Sequence, residues 1–213
     1  MKGPHQGQPV GTAGAPLPDA RAAMVMVHGR SATAESILTL VPALDRPDFA
    51  CLAPQASGNT WYPNSFLAPI PSNEPGISSG IQAIRDVLDR VEEAGIPPER
   101  TILLGFSQGA CLALEFSARH ARRYGGVACL SGGLIGPDGT PRDYAGSLDG
   151  TPIFLGCSDV DFHIPKERVE RSAQVMRRLG GEVTMHLYPG MGHLVNDDEI
   201  KQVRAMMDAV LEE

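Results

Sequence analysis

Thr101-Ile102-Leu103-Leu104-Gly105-Phe106-Ser107-Gln108-Gly109-Ala110-Cys111 changes character at its midpoint. The apolar run up to Leu104 has the length of a strand buried on both faces, and the small residues after Ser107 open a helix. Ser107 therefore sits on a sharp strand-to-helix turn. The Gly-x-Ser-x-Gly spacing removes the Cβ atoms that would strike the neighbouring strand or helix, and a serine so placed projects its hydroxyl from the carboxyl edge of a sheet. A bare Gly-x-Ser-x-Gly is only suggestive; the strand before it and the helix after it give it meaning.

Working outward, the same alternation recurs. Ala22-Ala23-Met24-Val25-Met26-Val27 is a continuous apolar run ending at Gly29. A helix is expected over Thr33 to Leu44 and a weaker strand over Phe49 to Ala53. Ile77, Ile81, Ile84, Leu88 and Val91 line one face of a helix whose other positions carry Arg85, Asp86, Asp89, Arg90, Glu92 and Glu93, with Gly95 and Pro97 as its stop. On the other side of Ser107 come a helix to about His120, a strand Gly126 to Leu130, a loop Gly132 to Gly150, a strand Pro152 to Leu155, a helix Lys166 to Leu179 and a strand Glu182 to Tyr188. The last helix carries Ile200, Val203, Met207, Val210 and Leu211 on one stripe. Alternating strands and helices imply an α/β chain with a mostly parallel sheet covered on both faces. Residues 1–19, rich in Gly, Pro and Gln, are expected to be a flexible or loosely attached arm, and residues 20–213 a single domain.

Composition narrows the functions open to such a chain. Lys plus Arg number 18 against 25 Asp plus Glu, a net charge of −7, which disfavours nucleic acid as a partner. The apolar runs fall short of the roughly 20 residues of a membrane span, and the first residues contain no signal-like apolar core, so a cytoplasmic protein without integral membrane association is expected. Cys51, Cys111, Cys129 and Cys157 form no Cys-x-x-Cys pair, which points to reduced structural thiols and to no metal site.

A serine hydroxyl needs a base to take its proton. Of the histidines after Ser107, His120 closes a helix and His186 lies within a strand. His193 stands in Pro189-Gly190-Met191-Gly192-His193, just beyond the carboxyl end of the last strand, at the edge where open α/β sheets bind ligands. A carboxylate should orient that imidazole, and Asp159 and Asp161, both after the strand Pro152 to Leu155, are the two candidates. The backbone N–H groups of Gln108, next to the serine, and of Arg30, in the His28-Gly29-Arg30 turn after the first confident strand, are the expected donors to a developing oxyanion.

Together, His28-Gly29-Arg30, Gly105-Phe106-Ser107-Gln108-Gly109, the Asp-x-x-Ile-Pro of Asp161 to Pro165, and Gly190-Met191-Gly192-His193 resemble the small phospholipase/carboxylesterase family, which includes acyl-protein thioesterases and lysophospholipases. The resemblance runs from about Ala20 to the C-terminus. It implies an α/β-hydrolase fold without a large cap domain, hydrolysis of a small-molecule carboxylic ester or thioester, and no metal or other cofactor; with no cap domain to bury a long chain, short to medium acyl length is expected. It also implies the nucleophile Ser107, the base His193, and Asp161 rather than Asp159 as the acid, because the family's acid commonly stands four residues before the proline. Phe162 replaces the proline usual after the acid, and Ser31 stands where a glycine is common.

Trp61, Tyr62 and Phe66 cluster in one Pro/Asn/Ser-rich loop. With Phe162, Met191 and Leu194 from the acid and histidine loops, they are expected to form the apolar wall that holds the acyl chain. Two other readings of the same scaffold stand beside this one: a dienelactone-hydrolase-like or peptidase activity, and a non-catalytic ligand-binding protein. A homodimer is compatible with the sequence.

Overall fold

In the computed structural model, which describes residues 3–212, the elements run β1 (Val10–Gly14), β2 (Ala22–Val27), α1 (Ala34–Leu38), α2 (Val41–Leu44), β3 (Phe49–Pro54), α3 (Gly76–Glu93), β4 (Thr101–Phe106), α4 (Gln108–Arg119), β5 (Gly126–Leu130), β6 (Pro152–Ser158), α5 (Lys166–Arg178), β7 (Glu182–Tyr188) and α6 (Asp197–Glu212). The strands form one seven-stranded sheet in the order β1-β3-β2-β4-β5-β6-β7. Every neighbouring pair is parallel except β1 with β3.

Strand β2 shows why the central strands read as unbroken apolar runs. Its side chains alternate between two cores, and none of its residues is exposed. Ala23, Val25 and Val27 pack with Ile77, Ile84 and Leu88 of α3, Leu112 of α4 and Val169 of α5. Ala22, Met24 and Met26 face the other way, with Ile37 of α1, Leu44 of α2, and Val203, Met207 and Val210 of α6. At about 1.5–3 kcal/mol for each large apolar side chain removed from water, the two layers hold the sheet between its helices.

The expected helix over Thr33 to Leu44 is two short helices. Pro42 has no N–H to give and its ring crowds the preceding turn, so the helix restarts at Val41 instead of running through. Thr33 caps the first piece by accepting the Ser36 N–H, and the Ser36 side chain reciprocates.

The stretch expected to be a loose arm is docked. Val10–Gly14 pairs antiparallel with β3, Val10 opposite Pro54 and Gly14 opposite Ala50. Further out, His5 is buried, its Nδ1 accepting the Ser57 N–H at 3.1 Å and its Nε2 donating to the Trp61 carbonyl at 2.9 Å. Edge pairing runs through backbone groups and requires no apolar periodicity, so composition alone reads such a segment as loose.

β2, β4, β6 and β7 run parallel and end on one edge of the sheet. His28, Ser107, the Asp159–Asp161 loop and His193 all follow carboxyl ends of these strands.

Candidate active site

The turn from β4 into α4 holds Ser107 at φ 56°, ψ −120°, a conformation that costs an L-residue on the order of 1–3 kcal/mol. The surroundings impose it. Ser107 N–H donates to the Leu130 carbonyl at 3.0 Å, and the Ser107 carbonyl accepts the Cys111 N–H at 3.0 Å. The flanking glycines let the chain cross its neighbours closely. A Cβ on Gly109 would meet the Val27 carbonyl oxygen at 2.1 Å, and one on Gly105 the Gly109 oxygen at 2.4 Å.

From Ser107 a hydrogen-bonded chain runs inward. His193 Nε2 lies 2.8 Å from Ser107 Oγ, and His193 Nδ1 lies 2.7 Å from Asp161 Oδ2. The Asp161 side chain is fully shielded from solvent. Its other oxygen accepts the backbone N–H groups of His163 at 2.8 Å and Ile164 at 3.1 Å. Burial works against its charge, but the hydrogen bonds from His193, His163 and Ile164 outweigh that cost and hold Asp161 below the ordinary carboxylate range. A charged Asp161 fixes the proton on Nδ1, which leaves Nε2 free to accept from the serine.

The loop that carries His193 is tied down from the acid side. Gly190 and Gly192 adopt φ of 63° and 78°, and their N–H groups donate to Asp159 Oδ1 at 2.8 Å and Ser158 Oγ at 3.0 Å. The two carboxylates open to the sequence therefore have separate partners: Asp161 meets the imidazole, and Asp159 meets the backbone three residues before it. The rings of Phe106 and His163 flank the His193 imidazole, with centroids at 5.0 and 4.9 Å.

Opposite lies the His28-Gly29-Arg30 turn. An added Cβ on Gly29 would sit 3.4 Å from the Ser107 Cβ, so this turn passes directly beside the serine. Among the described residues, neither the Arg30 nor the Gln108 N–H is taken by a turn or loop carbonyl. His28 braces the turn from beneath. Its Nε2 accepts the Ala56 N–H at 3.1 Å and its Nδ1 donates to the Gly29 carbonyl at 2.8 Å, an arrangement that requires a neutral ring; burial lowers its pKa accordingly. Ser31 takes φ 59°, the left-handed conformation that a glycine adopts without strain, and its N–H donates to the Asn59 carbonyl at 2.7 Å.

Ser107, His193, Arg30 and Gln108 open onto a cavity of about 450 Å³. Of the residues expected in its wall, Tyr62 and Phe66 line it, joined by His163, Ile164 and Cys111. Burial pushes the Cys111 thiol up to about 12, so it is no rival nucleophile. Trp61 is fully buried behind the wall, its indole N–H donating to the His28 carbonyl at 2.8 Å. Met191 lies against Asn196. Phe162 and Leu194 turn outward, 95% and 47% exposed, and neither lines the cavity. A loop side chain's direction is set by the turn beneath it, which apolar character does not reveal.

Three contributors escaped the sequence reading. The Gln108 side chain accepts the Trp61 N–H and donates to the Tyr62 carbonyl, both at 2.8 Å, locking the aromatic loop to the serine helix. The Arg30 guanidinium donates to the Pro63 and Asn64 carbonyls. Glu199 and Asn196 cap one another at the start of α6, just past the His193 loop. Only the last has a local signal, the Asn-x-x-Glu spacing.

Comparison with known proteins gives the family and the fold. A family model described as Phospholipase/Carboxylesterase matches residues 18–211. The crystal structure of a phospholipase/carboxylesterase from Dyadobacter fermentans superposes with a TM-score of 0.91 at 39% identity, covering 97% of both chains. Arabidopsis thaliana SOBER1, 20% identical, shares the fold with a TM-score of 0.76 over 90% of this chain and all of its own. An acyl-protein thioesterase 1 from Gibberella zeae is 31% identical over 135 residues, which is 62% of this chain and 57% of that protein. The fold is that of the α/β-hydrolases, and no large cap interrupts the strand–helix alternation among the described residues.

Proposed function

The chain belongs to the phospholipase/carboxylesterase family, and on that premise we propose that it hydrolyses carboxylic esters or thioesters of short to medium acyl length through an acyl-enzyme on Ser107. The observation that carries this reading is the unbroken contact chain Ser107–His193–Asp161, at 2.8 and 2.7 Å, opening on a cavity beside two unclaimed backbone donors. Binding alone does not require such a chain.

In the first half-reaction, Ser107 Oγ bonds to the carbonyl carbon while His193 Nε2 takes its proton, and the carbonyl electron pair moves onto oxygen. The N–H groups of Arg30 and Gln108 hold that oxyanion; the loss of a single such donor typically costs about 10²–10³ in turnover. Asp161 compensates the imidazolium. Collapse of the tetrahedral adduct breaks the bond to the alkoxide or thiolate, which leaves with the proton from His193. Water then repeats the sequence on the acyl-enzyme, releasing the acid and restoring Ser107.

Tyr62, Phe66 and Ile164 supply the apolar wall for the acyl chain. Each buried methylene is worth about 0.8 kcal/mol at best, so preference should climb over the first few carbons and stop where the wall ends. Among the described residues no helix is long and apolar enough to cross a membrane. We assign the protein to the cytoplasm, a reading supported by four free, buried cysteines.

A panel of p-nitrophenyl esters and matched thioesters from acetyl to palmitoyl tests the proposal. The expected result is turnover that peaks at short to medium chains. Absence of turnover across the panel, or highest activity on palmitoyl, would contradict it.

A further inference from the structure

The wall of the cavity that holds Ser107 presents a cationic side chain and, among the described residues, no carboxylate. Arg30 is the only Lys or Arg among the described residues of its wall, and no Asp or Glu lines it. Asp161, the carboxylate behind His193, is fully shielded and has both oxygens engaged by His193, His163 and Ile164. His163 lines the same space, and the first turn of α4, with its unpaired N–H groups, opens toward it. The chain as a whole carries a net charge of −7, so an arginine in the cavity wall runs against the sign of the molecule's overall charge.

The Arg30 side chain is also held in position. Its Nη1 donates to the Pro63 carbonyl at 2.9 Å and its Nη2 to the Asn64 carbonyl at 2.6 Å, and its Cζ stands 6.0 Å from the centre of the Tyr62 ring. Both acceptors are neutral, and no carboxylate of the described residues pairs with the guanidinium. Further N–H donors of the fork remain unused. A fixed, unpaired guanidinium loses little side-chain freedom when it meets a carboxylate or phosphate, and its planar fork fits such groups.

We propose that the Arg30 guanidinium selects substrates bearing an anionic group, a carboxylate or a phosphate, close to the scissile ester, an inference that rests on the esterase reading above. Simple alkyl esters are then poorer substrates than acidic esters of the same length. The backbone of Arg30 serves the oxyanion while its side chain reads the substrate.

The test uses two matched pairs of phenyl esters: phenyl hexanoate with monophenyl adipate, where the charge is on the acyl side, and phenyl acetate with 4-carboxyphenyl acetate, where it is on the leaving group. For each pair the readout is the ratio of kcat/KM for the anionic ester to that for the neutral one, in the parent enzyme, Arg30→Gln and Arg30→Lys. This ratio cancels any common loss from a disturbed oxyanion turn. In one pair the parent is expected to favour the anionic ester by about tenfold, the preference shrinking as salt rises. Arg30→Gln should abolish that preference, and Arg30→Lys, which keeps the charge but not the planar fork, should retain part of it. The responding pair identifies the side of the ester that faces Arg30. Equal ratios in parent and Arg30→Gln, or a parent preference indifferent to salt, overturn this inference while neutral-ester turnover leaves the esterase reading intact. Failure of the parent to hydrolyse any of the four esters overturns the esterase reading.

Discussion

Asp159 accepts the Gly190 N–H at 2.8 Å, and so ties the loop after β6 to the loop that presents His193. The bond is to backbone, three residues before the imidazole, and it shapes the loop without touching the ring. Asp161, two residues further on, meets the ring itself.

Exchange of the two carboxylates for amides should therefore give unequal results. Asp161→Asn leaves the shape intact but loses the charge that selects the His193 tautomer and stabilises its protonated form; turnover should fall by about 10²–10⁴. Asp159→Asn keeps an oxygen for the Gly190 N–H and should stay within about tenfold of the parent, since a neutral hydrogen bond is worth about 1 kcal/mol. Steady-state kcat for both variants on one ester decides the matter. A larger loss in Asp159→Asn would reassign the acid.

Glu199 gives a pH dependence of stability. Its side chain is fully buried, Oε2 accepts the Asn196 N–H at 2.9 Å, and Oε1 has no hydrogen-bond partner. Burial raises its pKa to about 7. An unfolded glutamate titrates near about 4.3, so the fold prefers the protonated form. The stabilisation is fully present below about pH 4.3 and is lost as pH rises through 7, amounting to about 4 kcal/mol at most. Glu199→Gln keeps an acceptor for Asn196 and removes the titration. Urea unfolding at pH 5 and pH 8 should show the variant close to the parent at the lower pH and more stable than it, by about 2–3 kcal/mol, at the higher. A parent–variant difference that is the same at both values would contradict the assignment.

Trp61 acts on the scaffold rather than on acyl length. It is fully buried, bonded through its indole to the His28 carbonyl, and absent from the cavity wall. Trp61→Ala should cost about 3–5 kcal/mol of stability. It should also lower acetyl and octanoyl ester turnover together, because it loosens the turn that carries the Arg30 N–H. Selective loss of octanoyl turnover would return Trp61 to the acyl wall, where its sequence neighbours had suggested it belonged.

Much of this fold is legible in the sequence because strands buried on both faces leave unbroken apolar runs. Ala22–Val27 and Gly126–Leu130 have the expected boundaries; so does Glu182–Tyr188, although it is an edge strand that is only partly buried and mixes polar with apolar residues. Val10–Gly14 is not legible, since an edge strand of Gly, Thr and Ala bonds through its backbone and shows no apolar pattern. At the site, motif spacing leads to Ser107 and His193, whose side chains approach to 2.8 Å. The residues alone left Asp159 and Asp161 equivalent, and only the family resemblance separated them. Phe162 and Leu194 are apolar and near the site in sequence, yet they point outward. The motifs give Arg30 and Gln108 a role through their N–H groups, while their side chains organise the facing loop through contacts 33 to 47 residues away.

The central claim, a nucleophilic Ser107 activated by His193, is tested most directly by fluorophosphonate labelling followed by peptide mapping. The account predicts one adduct per chain, on Ser107, with labelling and ester hydrolysis both lost in Ser107→Ala while its far-UV circular dichroism and melting temperature match the parent; loss of such a nucleophile typically costs on the order of 10⁴–10⁶ in rate. An adduct on another residue, or a folded Ser107→Ala enzyme within tenfold of parental activity, would contradict it.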